Sequence, residues 1–126
     1  MRPLLLMALV LLVGASGCKK GHVKDFKGTY DCELTEHFIC NGCNPVESST
    51  TVTQETIKVK RKAFKPGQLE ILGELLEIDE NGEYFGDHHL ATYSFTVKFN
   101  MDSIYILYYS GGLGSGTTYI YKGAKQ

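Results

Sequence analysis

Apolar and polar positions alternate most clearly in the last third of the chain. Tyr93–Phe99 reads Y-S-F-T-V-K-F, Ile104–Tyr109 reads I-Y-I-L-Y-Y, and Thr118–Lys122 reads T-Y-I-Y-K. The turn-forming clusters Asn100–Ser103 and Ser110–Thr117 separate them. β-branched and aromatic runs divided by such clusters predict an antiparallel meander. Folding about the first turn sets Val97 opposite Ile106, Phe95 opposite Tyr108 and Phe99 opposite Ile104. Folding about the glycine loop sets Tyr108 opposite Tyr119 and Ile106 opposite Tyr121. Both foldings place Phe95, Val97, Phe99, Ile104, Ile106, Tyr108, Tyr119 and Tyr121 on one face, and a one-residue slip would destroy that agreement. The opposite face carries Tyr105, Leu107, Tyr109 and Ile120. That is more apolar surface than a wet face needs. Another strand or the N-terminal hairpin would cover it; otherwise it is a contact surface for a protein partner.

Earlier segments follow the same period. Tyr30–Cys40 alternates with Cys32, Leu34, Phe38 and Cys40 on one face. A threonine-rich strand from Ser49 to about Lys62 ends with buried Ile57 and Val59 between wet Lys58 and Lys60. A three-residue Pro66-Gly67-Gln68 loop would then set Lys60 opposite Glu74, Val59 opposite Leu75 and Ala63 opposite Ile71. Leu69–Asp79 also fits a helical stripe, but Gly73 in its middle costs a helix about 1 kcal/mol. It reads as two short strands meeting near Gly73, followed by an Asn81-Gly82 turn into Glu83–Gly86. About eight short strands without a convincing helix predict an all-β domain, a small antiparallel meander forming a barrel or a sandwich.

The N-terminus differs in kind. Arg2 precedes ten apolar residues, Leu4–Val13, and then Gly14, Ala15, Ser16 and Gly17 lead to Cys18. A span takes roughly 20 apolar residues, so this run predicts a cleaved secretory leader, residues 1–17. Ala15-Ser16-Gly17-Cys18 resembles a bacterial lipobox, with Ala15 where that pattern usually has Leu. The resemblance implies cleavage before Cys18, acylation of its thiol and, with Lys19 and Lys20 in place of an aspartate, delivery to the outer membrane of a Gram-negative envelope. Residues 18–27 then read as lipid anchor and tether, and 28–126 as a single domain. Gly28-Thr29-Tyr30 is similar to the opening of lipocalins, which carry Trp where this chain has Tyr30. That likeness implies a calycin-type barrel carrying a small hydrophobic ligand.

Charge and cysteines narrow the chemistry. Losing Arg2 from 13 basic residues leaves 12 against 14 acidic ones, a net charge of −2. Such a balance gives no basic field for nucleic acid. The cluster Lys58, Lys60, Arg61, Lys62 and Lys65 faces an acidic stretch, Glu70 to Glu83, and reads as a solvated face with cross-strand pairs. If Cys18 is acylated, three cysteines remain, enough for one disulfide and one thiol; otherwise four allow two bridges. Cys32 and Cys40, eight residues apart on one strand, are separated by about 26 Å. Asn41-Gly42 is a hairpin pair, which favours a Cys40–Cys43 bridge across it. His37, Cys40, Cys43 and Cys32 are also the weak candidates for a zinc site, and Cys40-x-x-Cys43 for a redox motif. Asp87-His88-His89 reads as a polar loop. Gly111–Gly116 lacks the lysine and the following helix that phosphate cradling requires. No Gly-x-Ser-x-Gly, His-Glu-x-x-His or carboxylate pair is present, so the expectation is a membrane-anchored, noncatalytic binding or structural module without a cofactor.

Overall fold

The computed structural model describes residues 22–62, 67–87 and 93–126. The leader, Cys18, Lys65 and the His88-His89 pair lie outside the described residues. After a single 3-10 turn at His22–Phe26, the chain forms β1 (Gly28–Cys40), β2 (Glu47–Arg61), β3 (Gln68–Ile71) and β4 (Glu74–Glu77). Then come β5 (Glu83–Asp87), β6 (Tyr93–Asn100), β7 (Ser103–Gly112) and β8 (Ser115–Lys125). One antiparallel sheet contains all eight, in the order β4-β3-β2-β1-β8-β7-β6-β5, and curls nearly closed into a barrel. Two four-stranded meanders are thus joined where the first and last strands pair. At the seam, the Asp79 N–H donates to the Glu83 carbonyl at 2.9 Å. The Asp79 carboxylate accepts from the N–H groups of Asn81 and Glu83, each at 2.9 Å.

The alternation decides which side faces in. One interior row runs Thr53–Leu34–Tyr121–Ile106–Val97–Tyr84 across six strands. The pairings expected for β6, β7 and β8 all occur. Tyr30, Ile57, Val59, Leu69, Ile71, Leu76, Ile78, Phe99 and Ile104 complete a core concentrated at one end of the barrel. That end is plugged by the N-terminal turn. Val23 is fully buried, the Phe26 ring stacks on Phe99 at 4.6 Å, and the Tyr30 hydroxyl donates to the Phe26 carbonyl at 2.7 Å. The second half of the segment expected to be a tether is therefore part of the folded body, because Val23 and Phe26 bring apolar area that the barrel floor can bury.

Two expectations need correction. The β2–β3 pairing sets Lys60 opposite Glu70 and Arg61 opposite Leu69, not Lys60 opposite Glu74. Strand β2 stops at Arg61 and β3 starts at Gln68, so the connection is six residues long, and Leu69 and Ile71 turn into the core. The lysine still faces a glutamate, but on β3. The face with Tyr105, Leu107, Tyr109 and Ile120 is the outside of the barrel; among the described residues no further strand covers it, and these four stay half-exposed.

The β3–β4 hairpin closes through Leu72 and Gly73, with φ of 52° and 79°. Positive φ at both central residues is the type I′ geometry, which Asn-Gly satisfies best. Leucine there is held in a region costing roughly 1–2 kcal/mol, and its side chain is 43% exposed. Leu72→Asn should therefore raise unfolding stability by about 0.5–1 kcal/mol, measured by urea denaturation. A loss of stability would show that the leucine side chain matters more than the turn.

Candidate functional site: the open end of the barrel

Strands β3 and β4 have only four residues each and flank only the lower part of β2. Above them β1, β2, β7 and β8 continue upward, β1 for about 43 Å in all at roughly 3.3 Å per residue. Among the described residues, the upper wall therefore keeps an inner face without an opposing layer. On it stand Glu36 and Phe38 of β1, Thr51, Thr53 and Glu55 of β2, Tyr119 and Tyr121 of β8, Tyr108 of β7 and Tyr93 of β6. The three β2 residues are exposed and the others are half-exposed or mostly so.

The tyrosines form a ladder. Tyr93 meets Tyr108 edge-on at 5.2 Å, Tyr108 meets Phe95 at 5.8 Å, and Tyr108 leans on Tyr119 at 5.3 Å. Separations in this range favour aromatic pairs by about 0.5–1.5 kcal/mol beyond area burial. Burial raises the Tyr121 phenol pKa, and the Glu55 and Glu36 carboxylates raise it further. Burial also raises Tyr93, with Glu74 adding to it. These phenols stay protonated near neutrality and offer O–H donors beside carboxylate acceptors. A face of rings, hydroxyls and carboxylates suits a partner carrying apolar and basic groups.

The rim is locked. Cys40 and Cys43 are disulfide-bonded, with an S–S distance of 1.98 Å, as the Asn41-Gly42 pair suggested. The Gly42 N–H donates to the Gly114 carbonyl at 2.9 Å and ties this turn to the β7–β8 hairpin. On the outer side of the same rim a cleft of about 190 Å³ is lined by His37, Ile39, Asn41, Tyr109, Gly112 and Thr118, among others. Tyr109 lies across Gly111 and Gly116, where any side chain would collide with its ring; strand glycines allow such close approach. His37 Nδ1 is 2.7 Å from the Thr50 hydroxyl. Leu113 stands fully exposed at the hairpin tip.

The four weak zinc candidates are not brought together. Cys40 and Cys43 are bonded to each other, His37 faces outward, and Cys32 is buried in the core. Among the described residues no group of three or more His, Cys, Asp or Glu could hold a metal ion. Of the outer-face candidates, Tyr109 lines the cleft, while Leu107 and Ile120 pair beside it and Tyr105 lies lower, paired with Lys98 and Lys122. No family model, curated protein or solved structure matches the chain.

Cys32 is the free thiol among the described residues, fully buried. Burial, helped by Asp31, pushes its pKa from 9.0 up to about 11. Tyr30 is likewise pushed from 10.0 up to about 12, chiefly by burial. The folded chain holds both protons more tightly than the unfolded chain does. Their stabilisation is complete below about pH 9 and is lost as pH rises, over about pH 9–11 for Cys32 and about pH 10–12 for Tyr30. A thiol reagent at pH 8 should react with Cys32 only in denaturant, and urea midpoints should fall steadily above pH 9. Rapid labelling of the folded chain would contradict the burial.

Proposed function

We propose that this protein is a lipid-anchored envelope module, noncatalytic, that holds a binding surface away from the membrane. The observation that carries this reading is a polarity of the body. Val23 and Phe26, a few residues after the Cys18-Lys19-Lys20 stretch in the sequence, sit in the closed end. The tyrosine wall, the outer cleft and the locked rim all lie at the opposite end. An acylated Cys18 in the outer membrane would thus leave the open end facing outward from the lipid. Several acyl chains would be needed, since one gives only reversible attachment.

A protein partner fits the exposed end better than a small hydrophobic cargo. Tyr30, Phe99, Ile104 and Ile106 fill the lower barrel, where a lipocalin-like carrier would need volume. What remains accessible is a broad wall of phenols and carboxylates. The Cys40–Cys43 bridge stiffens that rim, and its closed state supports a structural role over a thiol-based one.

In cells expressing Cys18→Ala, the protein should move from the membrane pellet to the soluble fraction, with its far-ultraviolet circular dichroism unchanged. The wild-type chain should show a mass increase matching acylation. Continued sedimentation of the variant with membranes would sink the anchoring proposal.

A further inference from the structure

Strand β2 has fifteen residues, yet β3 pairs with it only at Lys60 and Arg61. On its other side β1 accompanies it without interruption from Glu47 to Val59. From Glu47 to Thr56 every residue is exposed. Ten residues therefore carry one bonded edge, and no strand pairs with the other among the described residues. In an antiparallel strand alternate residues direct N–H and C=O to the same side, so about five present both groups to the bare edge. Proteins blunt such edges with Lys, Pro, a bulge or an inward-pointing charge, and of these only the last is present here, in Glu47 and Glu55. The segment E-S-S-T-T-V-T-Q-E-T has no Lys and no Pro, and its one-to-one register with β1 leaves no bulge.

Charge gives the edge a preference. Glu47 and Glu55 lie on the inner face, eight residues apart, opposite Cys40 and Cys32 rather than opposite basic residues. We propose that Glu47–Thr56 is a docking edge that adds an extended strand of a second protein. That strand runs antiparallel to β2 and places two Lys or Arg residues, eight apart, beside Glu47 and Glu55. Main-chain hydrogen bonds supply affinity in this mode of recognition, and the side chains on one face supply selectivity. A second copy of this chain fits less well. Self-pairing centred on Thr51 sets Glu47 against Glu55. Any antiparallel self-pairing also points the two closed ends in opposite directions, which two chains tethered to one membrane cannot satisfy; this last clause rests on the anchoring proposal.

The test uses the purified mature chain and the fluorescent nine-residue peptide Lys-Thr-Val-Thr-Ser-Thr-Val-Thr-Lys. A second peptide has Glu at both ends, and two more are N-methylated on one or the other alternating set of residues. Binding is read by anisotropy and by hydrogen exchange across β2. The Lys-ended peptide should bind about three- to tenfold more tightly than the Glu-ended one, with the margin shrinking in salt. Glu47→Gln with Glu55→Gln should abolish that margin. Exchange should slow at alternate amides of Glu47–Thr56, and one N-methylated set should lose binding while the other keeps it. Equal binding by both N-methylated peptides, or no slowing of exchange in β2, would overturn the docking edge. Slowing that depends on protein concentration without peptide would replace the second protein by a second copy. Neither result bears on Cys18 acylation, so the two proposals fail separately.

Discussion

The structure depends on the continuous pairing of β1 with both neighbours. β1 is registered against β2 over thirteen residues and against β8 over eleven. That double ladder joins the two meanders, carries the interior row through Leu34, and extends above the point where β3 and β4 end. Because side chains alternate strictly, one register decides which residues fill the floor and which line the wall. Shifting β1 by one residue against β8 would send Leu34 and Cys32 outward and Glu33 and Thr35 inward. The floor would then contain a carboxylate with no basic group to meet it, a cost well beyond what the hairpins could offset.

The body divides into two regions with different physics. In the lower half, packing is close and apolar: Gly123 lies so near Asp31 and Cys32 that no side chain fits there. Burial raises the Tyr30 and Cys32 pKa values because the ionised forms would lose water without gaining a partner. In the upper half the wall is held by strand pairing, the Cys40–Cys43 bridge and the Gly42–Gly114 hydrogen bond instead of by an opposing layer. A wall of this kind can keep rings and carboxylates half-exposed in fixed positions. That combination suits recognition, since little side-chain freedom remains to be lost on binding.

Much of this was legible in the residues. The meander registers followed from two short turns and an apolar set that agreed in both pairs, so β6, β7 and β8 were determined locally. The Cys40–Cys43 bridge followed from Asn-Gly between two cysteines. The β2–β3 register was not legible, because it depends on how many residues the connection uses. The pattern suggests three, with Leu75 on the face of Val59; the chain uses six, and Leu76 turns into the core while Leu75 faces outward. Tyr108, Tyr119 and Tyr121 share a face with Ile106, and the alternation of β7 and β8 does not tell how far up that face the core extends. A signal was nonetheless present in β2. Its inner positions run Glu47, Ser49, Thr51, Thr53, Glu55, then Ile57 and Val59. The change from polar to apolar at Ile57 marks the height at which the barrel acquires an opposing side.

That change also makes so long an edge, unpaired among the described residues, a poor template for aggregation. Aggregation through a bare edge needs flat, apolar, uncharged strands that tolerate any neighbour. From Glu47 to Thr56 the only apolar residue is Val52. Threonine keeps the strand extended, being β-branched, while its hydroxyl keeps both faces wet. The two glutamates repel a copy that would bring them together. Main-chain pairing on that edge is therefore available but weakly rewarded by burial, and selectivity falls to charge and to the phenols on the adjoining wall. A strand built this way discriminates among neighbours by what they place opposite its ends.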